Sequence, residues 1–136
     1  MGLAEKRAAA AFEKDKYPAL KKAIDDVLGY PIPLEVAWAD IAKEGYQESY
    51  AVAFASNFFT PLAKALESIC ADDLGRNGFK EKVKKVTITS KRPWSSLEVK
   101  LEGDALNLDA DPSYARDESC VDDYKDRIQK LLESSL

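Results

Sequence analysis

Histidine is absent from this chain of 136 residues, and cysteine occurs only twice. Because histidine is the only side chain that titrates unperturbed between pH 5 and 8, its absence excludes Ser-His-Asp and Cys-His catalytic groups, His-Glu-x-x-His zinc proteases and haem held by histidine. Two cysteines without histidine cannot hold a structural zinc ion. No cofactor-binding motif is present either, so we expect no cofactor.

Long apolar runs are also lacking. The longest segment without a charged residue, residues 49–63, has 15 residues, whereas a membrane span needs about 20. We therefore expect no membrane insertion. No secretory pattern follows Met1, so Cys70 and Cys120 are expected to be free thiols in a cytoplasmic protein. The sequence does not show whether these two cysteines approach each other.

The composition that remains is that of an ordinary globular protein. Hydrophobic residues make up 46% of the chain and charged residues 32%, which is far from the composition of disordered proteins. The length corresponds to one domain by the usual range of about 100–200 residues per domain. We therefore predict a single domain over residues 1–136.

Helical spacing of apolar residues predicts three main helical regions, residues 3–28, 60–74 and 121–132. Pro18 predicts a break at Tyr17, and Gly29 a left-handed stop. Thr60 is expected to cap the second region, with Pro61 in its first turn. Residues 77–78 predict a turn, followed by a short amphipathic segment over residues 79–85.

Alternation of apolar and polar residues predicts the strands, at residues 34–38, 86–89, 97–102 and 106–109. Residues 50–55 fit both a strand and a helix, and the β-favouring Tyr50, Val52 and Phe54 lead us to predict a strand. Short turns between the last three strands indicate an antiparallel meander. The predicted fold is an α+β two-layer sandwich. Its mainly antiparallel sheet comprises the C-terminal three-strand meander plus one or two earlier strands, packed against N-terminal, middle and C-terminal helices.

Charge is unevenly distributed along the chain. Residues 76–92 carry seven positive side chains and one negative, and residues 102–126 carry nine negative and two positive, although the whole chain has a net charge of only −4. The two segments either complement each other within the molecule or recognise a partner of opposite polarity. Because the isoelectric point is near 5.0, we do not expect nucleic-acid binding.

Two groups of residues are candidates for function. Aromatic residues between positions 38 and 59, together with the basic segment and its neighbouring tryptophan, are candidates for a ligand or interface site: Trp38, Tyr46, Tyr50, Phe54, Lys84, Arg92 and Trp94. Carboxylates at the ends of the last strand are weaker candidates for metal binding: Asp104, Asp109 and Asp111.

These candidates support three hypotheses of function. The first is a non-catalytic protein-interaction module, whose partner is another protein. The second is a small-molecule binding protein with an apolar pocket lined by Trp38 and Phe54. The third is a carboxylate-based or metal-assisted enzyme, although the spacing after Asp109 does not match the Ca²⁺-loop pattern, which needs glycine where Tyr114 stands. Neither the ligand nor the oligomeric state follows from the sequence.

Overall fold

A computed structural model describes residues 2–136. The chain begins with two helices, α1 (Leu3–Asp15) and α2 (Tyr17–Leu28). The break between them confirms the prediction from Pro18. Pro18 occupies the first turn of α2, where the N–H that proline lacks would have no partner within the helix. Gly29 ends α2 in the left-handed conformation with φ of 84°, as predicted.

A short strand and a long interrupted helix follow. Strand β1 (Leu34–Val36) leads into the single turn α3 (Trp38–Ile41), so the strand is shorter than predicted. After a 3₁₀ turn (Gln47–Ser49), α4 (Tyr50–Phe54), a π-helical turn (Ala55–Phe59) and α5 (Thr60–Ile69) run without a break. The predicted strand over residues 50–55 is therefore wrong, because its alanine-rich face also fits a helix.

Pro61 explains the π-helical turn. Within a continuous helix, proline cannot donate to the carbonyl four residues earlier, here that of Asn57, and its ring crowds that carbonyl. The wider turn accommodates this, and the N–H of Thr60 donates to Ala55, five residues back. Thr60 is thus an interior helical residue and not the predicted cap.

Helix α6 (Asp73–Lys82) follows α5 closely. The Asp72 side chain caps it by accepting a hydrogen bond of 2.8 Å from the N–H of Gly75. The predicted turn at residues 77–78 lies inside this helix and is wrong. The last helix, α7 (Val121–Ser135), follows a 3₁₀ turn (Glu118–Cys120) and confirms the predicted C-terminal helix.

The sheet contains β1 and three further strands, β2 (Lys85–Thr89), β3 (Glu98–Glu102) and β4 (Ala105–Asp109). Their order is β1-β2-β4-β3. Strand β2 is parallel to both β1 and β4, and only β3 and β4 pair antiparallel. The α+β class is confirmed, but the predicted mainly antiparallel sheet with a three-strand meander is wrong, because the sheet is mixed.

The loop after β2 causes this difference. Residues 90–97 do not form a tight turn at Pro93 but carry the chain past the position of β4 to the sheet edge, where β3 lies. The turn at Gly103, with φ of 64°, then returns β4 into the space between β2 and β3. Strands β3 and β4 therefore form a hairpin, and its second strand, β4, lies beside β2 and parallel to it.

One face of the sheet is apolar and the other polar. Val86, Ile88, Leu106 and Leu108 are buried in a core shared with residues of α1, α2, α4, α5 and α7. On the opposite face, Asn107 bridges to Thr87 across the β2–β4 pair, with 2.8 Å between Asn107 Nδ2 and Thr87 Oγ1. The apolar face of the sheet therefore lies toward the helices, and the polar face lies away from them.

Candidate functional site

The carboxyl ends of three parallel strands meet at one edge of the sheet. Val36, Thr89 and Asp109 end β1, β2 and β4 there, and the loops 90–97 and 110–117 leave from the same edge. In sheets with parallel strands, ligands bind outside the carboxyl ends, since the loops that vary in sequence gather there. We therefore locate the candidate site in these two loops.

Asp109 organises the first loop from the end of β4. Its carboxylate is almost fully buried and accepts hydrogen bonds from Thr89 Oγ1 at 2.7 Å and from the N–H of Lys91 at 2.8 Å. Arg92 Nε lies 3.4 Å from the other oxygen, and its Nη2 donates to the carbonyl of Ser96 at 2.8 Å. Because both ends of the loop are attached to this ion pair, loop 90–97 is firmly held.

The ionisation of Asp109 reflects these contacts. Burial by itself raises the pKa of a carboxyl group. The hydrogen bonds from Thr89 and Lys91 and the positive charge of Arg92 outweigh burial, so the pKa of Asp109 lies below its ordinary value of 3.8. Asp109 is therefore an ionised structural acceptor in the folded protein at neutral pH.

Asp111 joins the two loops to each other. It is also buried, with 3% of its surface exposed. One carboxylate oxygen accepts from the N–H of Trp94 at 2.7 Å, and the other from the N–H and hydroxyl of Ser113 at 2.9 and 2.6 Å. The N–H of Asp111 also donates to the carbonyl of Ser95 at 3.0 Å. Asp111 thus fixes Trp94 relative to the second loop.

Asn57 holds the second loop from the core side. It lies fully buried in the π-helical turn. Its Nδ2 donates to the carbonyl of Ala115 at 2.6 Å and to that of Ala53 at 2.8 Å. The irregular helical turn is therefore attached directly to the loop that carries Tyr114.

The two loops display an exposed aromatic pair. Trp94 is 65% exposed and Tyr114 47%, and their rings meet edge to face with centroids 5.3 Å apart. Trp94 is the one non-glycine residue with positive φ among residues 2–136, at 49°, a conformation that costs a bulky residue about 1–3 kcal/mol. The exposed cations Lys91 and Arg116 stand on the same loops. We call Lys91, Trp94, Tyr114 and Arg116 the Trp94 surface.

The other predicted aromatic residues belong to the core. Tyr46, Tyr50 and Phe54 are buried, and Trp38 is half-buried against them. Their rings contact one another, for example Tyr50 and Phe54 with centroids 4.6 Å apart. The hydroxyl groups of Tyr46 and Tyr50 donate to the carbonyls of Ile41 and Lys43. The rings of Trp38 and Phe54, the two residues of the predicted apolar pocket, therefore pack against each other, with centroids 6.4 Å apart.

Lys84 and Asp104 lie at the opposite end of the sheet from the Trp94 surface. Lys84 precedes β2, and its N–H donates to the carbonyl of Asp104 at 2.7 Å. Since β2 and β4 run parallel, the basic and acidic segments lie side by side, and Arg92 pairs with Asp109 at the other end. Part of the charge polarity is thus satisfied within the molecule.

The predicted acidic metal ligands are not gathered in one place. Asp104 and Asp109 stand at opposite ends of β4. Among residues 2–136, no three side chains of the Cys, Asp or Glu type are grouped to hold a metal ion. Asp109 and Asp111 instead use their oxygens to hold the two loops.

Both cysteines are buried and free. Burial raises the pKa of Cys70 and of Cys120, whereas a nucleophilic cysteine needs a lowered pKa. These thiols therefore resemble core residues and not reactive groups.

Four residues of this site are not among the candidates that the sequence offers: Asn57, Lys91, Tyr114 and Arg116. In the sequence Tyr114 is noted only as a mismatch to the Ca²⁺-loop pattern. The signal for Tyr114 was the loop after β4, which becomes informative only when β2 and β4 are known to be parallel neighbours. Nothing in the sequence marks Asn57, since its partner Ala115 contributes a backbone carbonyl.

Within residues 2–136, no helix combines the length and the apolar character that crossing a membrane requires. Comparisons with protein-family models, curated proteins and solved structures found no match to this chain. Its function is therefore argued from the geometry of the site.

Proposed function

We propose that the protein is a non-catalytic binding domain that recognises a partner protein through the Trp94 surface. The observation that carries this proposal is Trp94 itself, a tryptophan 65% exposed on backbone with φ of 49°. A strained backbone residue persists where its surroundings over-determine it, and such residues concentrate at functional sites. Here the surroundings are the hydrogen bond from Trp94 to Asp111 and the anchored loop.

The chemistry of the surface favours a protein partner. Tryptophan, tyrosine and arginine dominate the binding energy of protein interfaces, and Trp94, Tyr114 and Arg116 supply all three. Because the loops are already fixed by Asp109 and Asp111, little conformational entropy is lost on binding. Asp109 and Asp111, which hold the loops, are buried, whereas Lys91 and Arg116 are exposed on the same loops as the aromatic pair. The exposed carboxylate of Asp117 is engaged as the cap of the following 3₁₀ turn, where it accepts from the N–H of Ser119 at 2.9 Å. The partner is therefore expected to present an apolar side chain beside carboxylates.

The contacts of the carboxylates and thiols, the groups that could act in catalysis, support a non-catalytic role. The two buried carboxylates of the site accept hydrogen bonds from its own loops, and burial raises the pKa of both thiols. We also propose a cytoplasmic location, because free buried thiols fit a reducing compartment.

The proposal is tested by capturing partners from an extract of the source organism with the wild-type protein, Trp94→Ala and Tyr114→Ala. A partner that binds the Trp94 surface is lost with either variant, because truncating a hot-spot residue weakens binding by roughly 30-fold or more. Binding of the purified partner is then measured by titration calorimetry. Lys84→Glu is the matched control, because Lys84 lies at the opposite end of the sheet.

Charge-reversal variants of the Trp94 surface distinguish binding at this surface from general attraction to the basic segment, residues 76–92. Lys91→Glu and Arg116→Glu are expected to slow association, since exposed interface charges act mainly on the association rate. A partner that binds both Ala variants as tightly as wild type, or that responds only to Lys84→Glu, would overturn the proposal.

A further inference from the structure

A groove of about 650 Å³ lies where α5, α6 and α7 meet, away from the two loops of the Trp94 surface. Its apolar and acidic lining includes Ile69, Asp72, Leu74, Glu81, Glu133 and Leu136. The close approach of α6 to the end of α5 shapes one wall. A Cβ on Gly75 would stand only 1.8 Å from the carbonyl oxygen of Ile69. The groove is thus a consequence of how tightly these helices pack.

Leu74 is the most exposed large apolar side chain among the described residues, at 86%. It lies in the first turn of α6, whose cap and packing at Gly75 fix its position. A small molecule inside the groove would leave most of the Leu74 side chain in contact with water. A peptide segment that lies across the groove and extends over Leu74 covers both the groove and this side chain.

The charge of the lining defines the segment that fits. Among the described residues, no lysine or arginine lines the groove. Two cations of α6 are engaged elsewhere: Arg76 Nη2 lies 3.4 Å from the carbonyl oxygen of Cys70, and Lys80 Nζ stands over the Tyr30 ring. Within residues 2–136, Glu81 and Glu133 have no ion-pair partner. Unpaired carboxylates beside an apolar floor complement lysine or arginine next to an apolar side chain.

We propose that this groove binds a cationic amphipathic segment of a partner protein. Ile69, Leu74 and Leu136 contact the apolar side chains of the segment, while Glu81 and Glu133 face its lysines or arginines. The groove takes a segment opposite in charge to the one expected at the Trp94 surface. The protein therefore carries two docking surfaces with different charge preferences, and this inference stands independently of the first surface.

The test uses a fluorescein-labelled helical peptide of about 12 residues, with leucines on one face and lysines beside them. Binding is followed by fluorescence anisotropy at physiological ionic strength. Leu74→Ser and Glu133→Lys are each expected to raise the Kd roughly tenfold, the effect of losing about 1.4 kcal/mol. Both positions are exposed, so neither variant is expected to disturb folding, which circular dichroism checks.

Two controls distinguish the groove from general attraction to an acidic protein. Glu13→Lys makes the same charge change on the exposed face of α1 and is expected to leave the Kd unchanged. A companion peptide with serine in place of leucine is expected to bind at least tenfold more weakly. Absence of binding, equal weakening by Glu13→Lys, or no effect of Leu74→Ser would each overturn the proposal. The peptide assay does not involve the Trp94 surface. If the partner test of that surface fails, the outcome of the peptide assay therefore still stands.

Discussion

At the scale of single residues, the site depends on carboxylates that serve structure. Asp109 and Asp111 look from the sequence like metal ligands or catalytic acids, because two carboxylates two positions apart at a strand end can share a hard cation. In the structure their carboxylate oxygens instead accept hydrogen bonds from backbone N–H groups of loop 90–97, Asp109 from Lys91 and Asp111 from Trp94. A buried carboxylate that accepts several hydrogen bonds holds a loop in place at the cost of its own desolvation.

Trp94 is predicted to serve binding and not stability. In Trp94→Asn the left-handed backbone strain falls, because asparagine tolerates this region. The loss of the ring contact with Tyr114 offsets that gain, so the free energy of unfolding is expected to change by less than about 1 kcal/mol. Urea denaturation measures it. Trp38→Asn, which removes a half-buried ring packed on Phe12 and Tyr17, is expected to cost about 3 kcal/mol or more.

Similar losses in the two tryptophan variants would contradict this prediction, since Trp94 would then be a stabilising core residue.

Asp109 gives a prediction for acid stability. Because its pKa in the folded state lies below the ordinary value of 3.8, the stability it contributes is fully present above that pH. This stability is lost as the pH falls through the lowered pKa. Urea denaturation across acidic pH is expected to show a steeper loss for wild type than for Asp109→Asn, which has no carboxyl group to titrate. Parallel curves for the two proteins would show that Asp109 is not responsible.

At the scale of elements, helix α6 shows why a sequence pattern misleads. Asn77 and Gly78 resemble a turn, but both lie within the helix because the Asp72 cap starts the helix before them. Gly75 is needed for close packing, whereas Gly78 has an ordinary distance of 3.5 Å from a built Cβ to Leu136 Cβ. The two glycines therefore have opposite roles in one helix.

A matched pair of substitutions tests this difference. Gly75→Ala forces a Cβ against the carbonyl of Ile69 and is expected to cost about 2 kcal/mol or more. Gly78→Ala removes unfolded-state freedom without a clash and is expected to add about 0.5–1 kcal/mol to the free energy of unfolding. Thermal denaturation of both variants gives the comparison. Stabilisation by both variants would contradict the close packing of Gly75 against the carbonyl of Ile69.

The π-helical turn is the second element that the site depends on. Asn57→Ala removes the hydrogen bonds to Ala53 and Ala115 and is expected to cost about 1–3 kcal/mol. Hydrogen exchange is expected to accelerate locally over residues 111–117, while the amides of β4 stay protected. Uniform acceleration throughout the protein would mean that Asn57 supports the whole core and has no specific effect on the loop.

At the scale of the whole molecule, the sequence predicts elements better than their arrangement. Periodicity locates β2, β3 and β4 because each carries its own apolar alternation, and helical spacing locates α7. Pro18 marks the break before α2. Strand order depends on where loop 90–97 takes the chain, which no local pattern records. The site depends on that order. Trp94 and Tyr114 are 20 positions apart in the sequence and meet because β4 lies beside β2.

The most direct test of the Trp94 surface is the fluorescence of Trp94 in complex with the captured partner. In Trp38→Phe, Trp94 is the remaining tryptophan of the two, and its exposure makes it accessible to acrylamide. The partner used for the titration has no tryptophan, or its tryptophans are replaced. As the partner covers the Trp94 ring, the acrylamide quenching constant of Trp94 is expected to fall several-fold. A quenching constant that stays at its free value when calorimetry shows saturation would place the interface elsewhere and contradict the account.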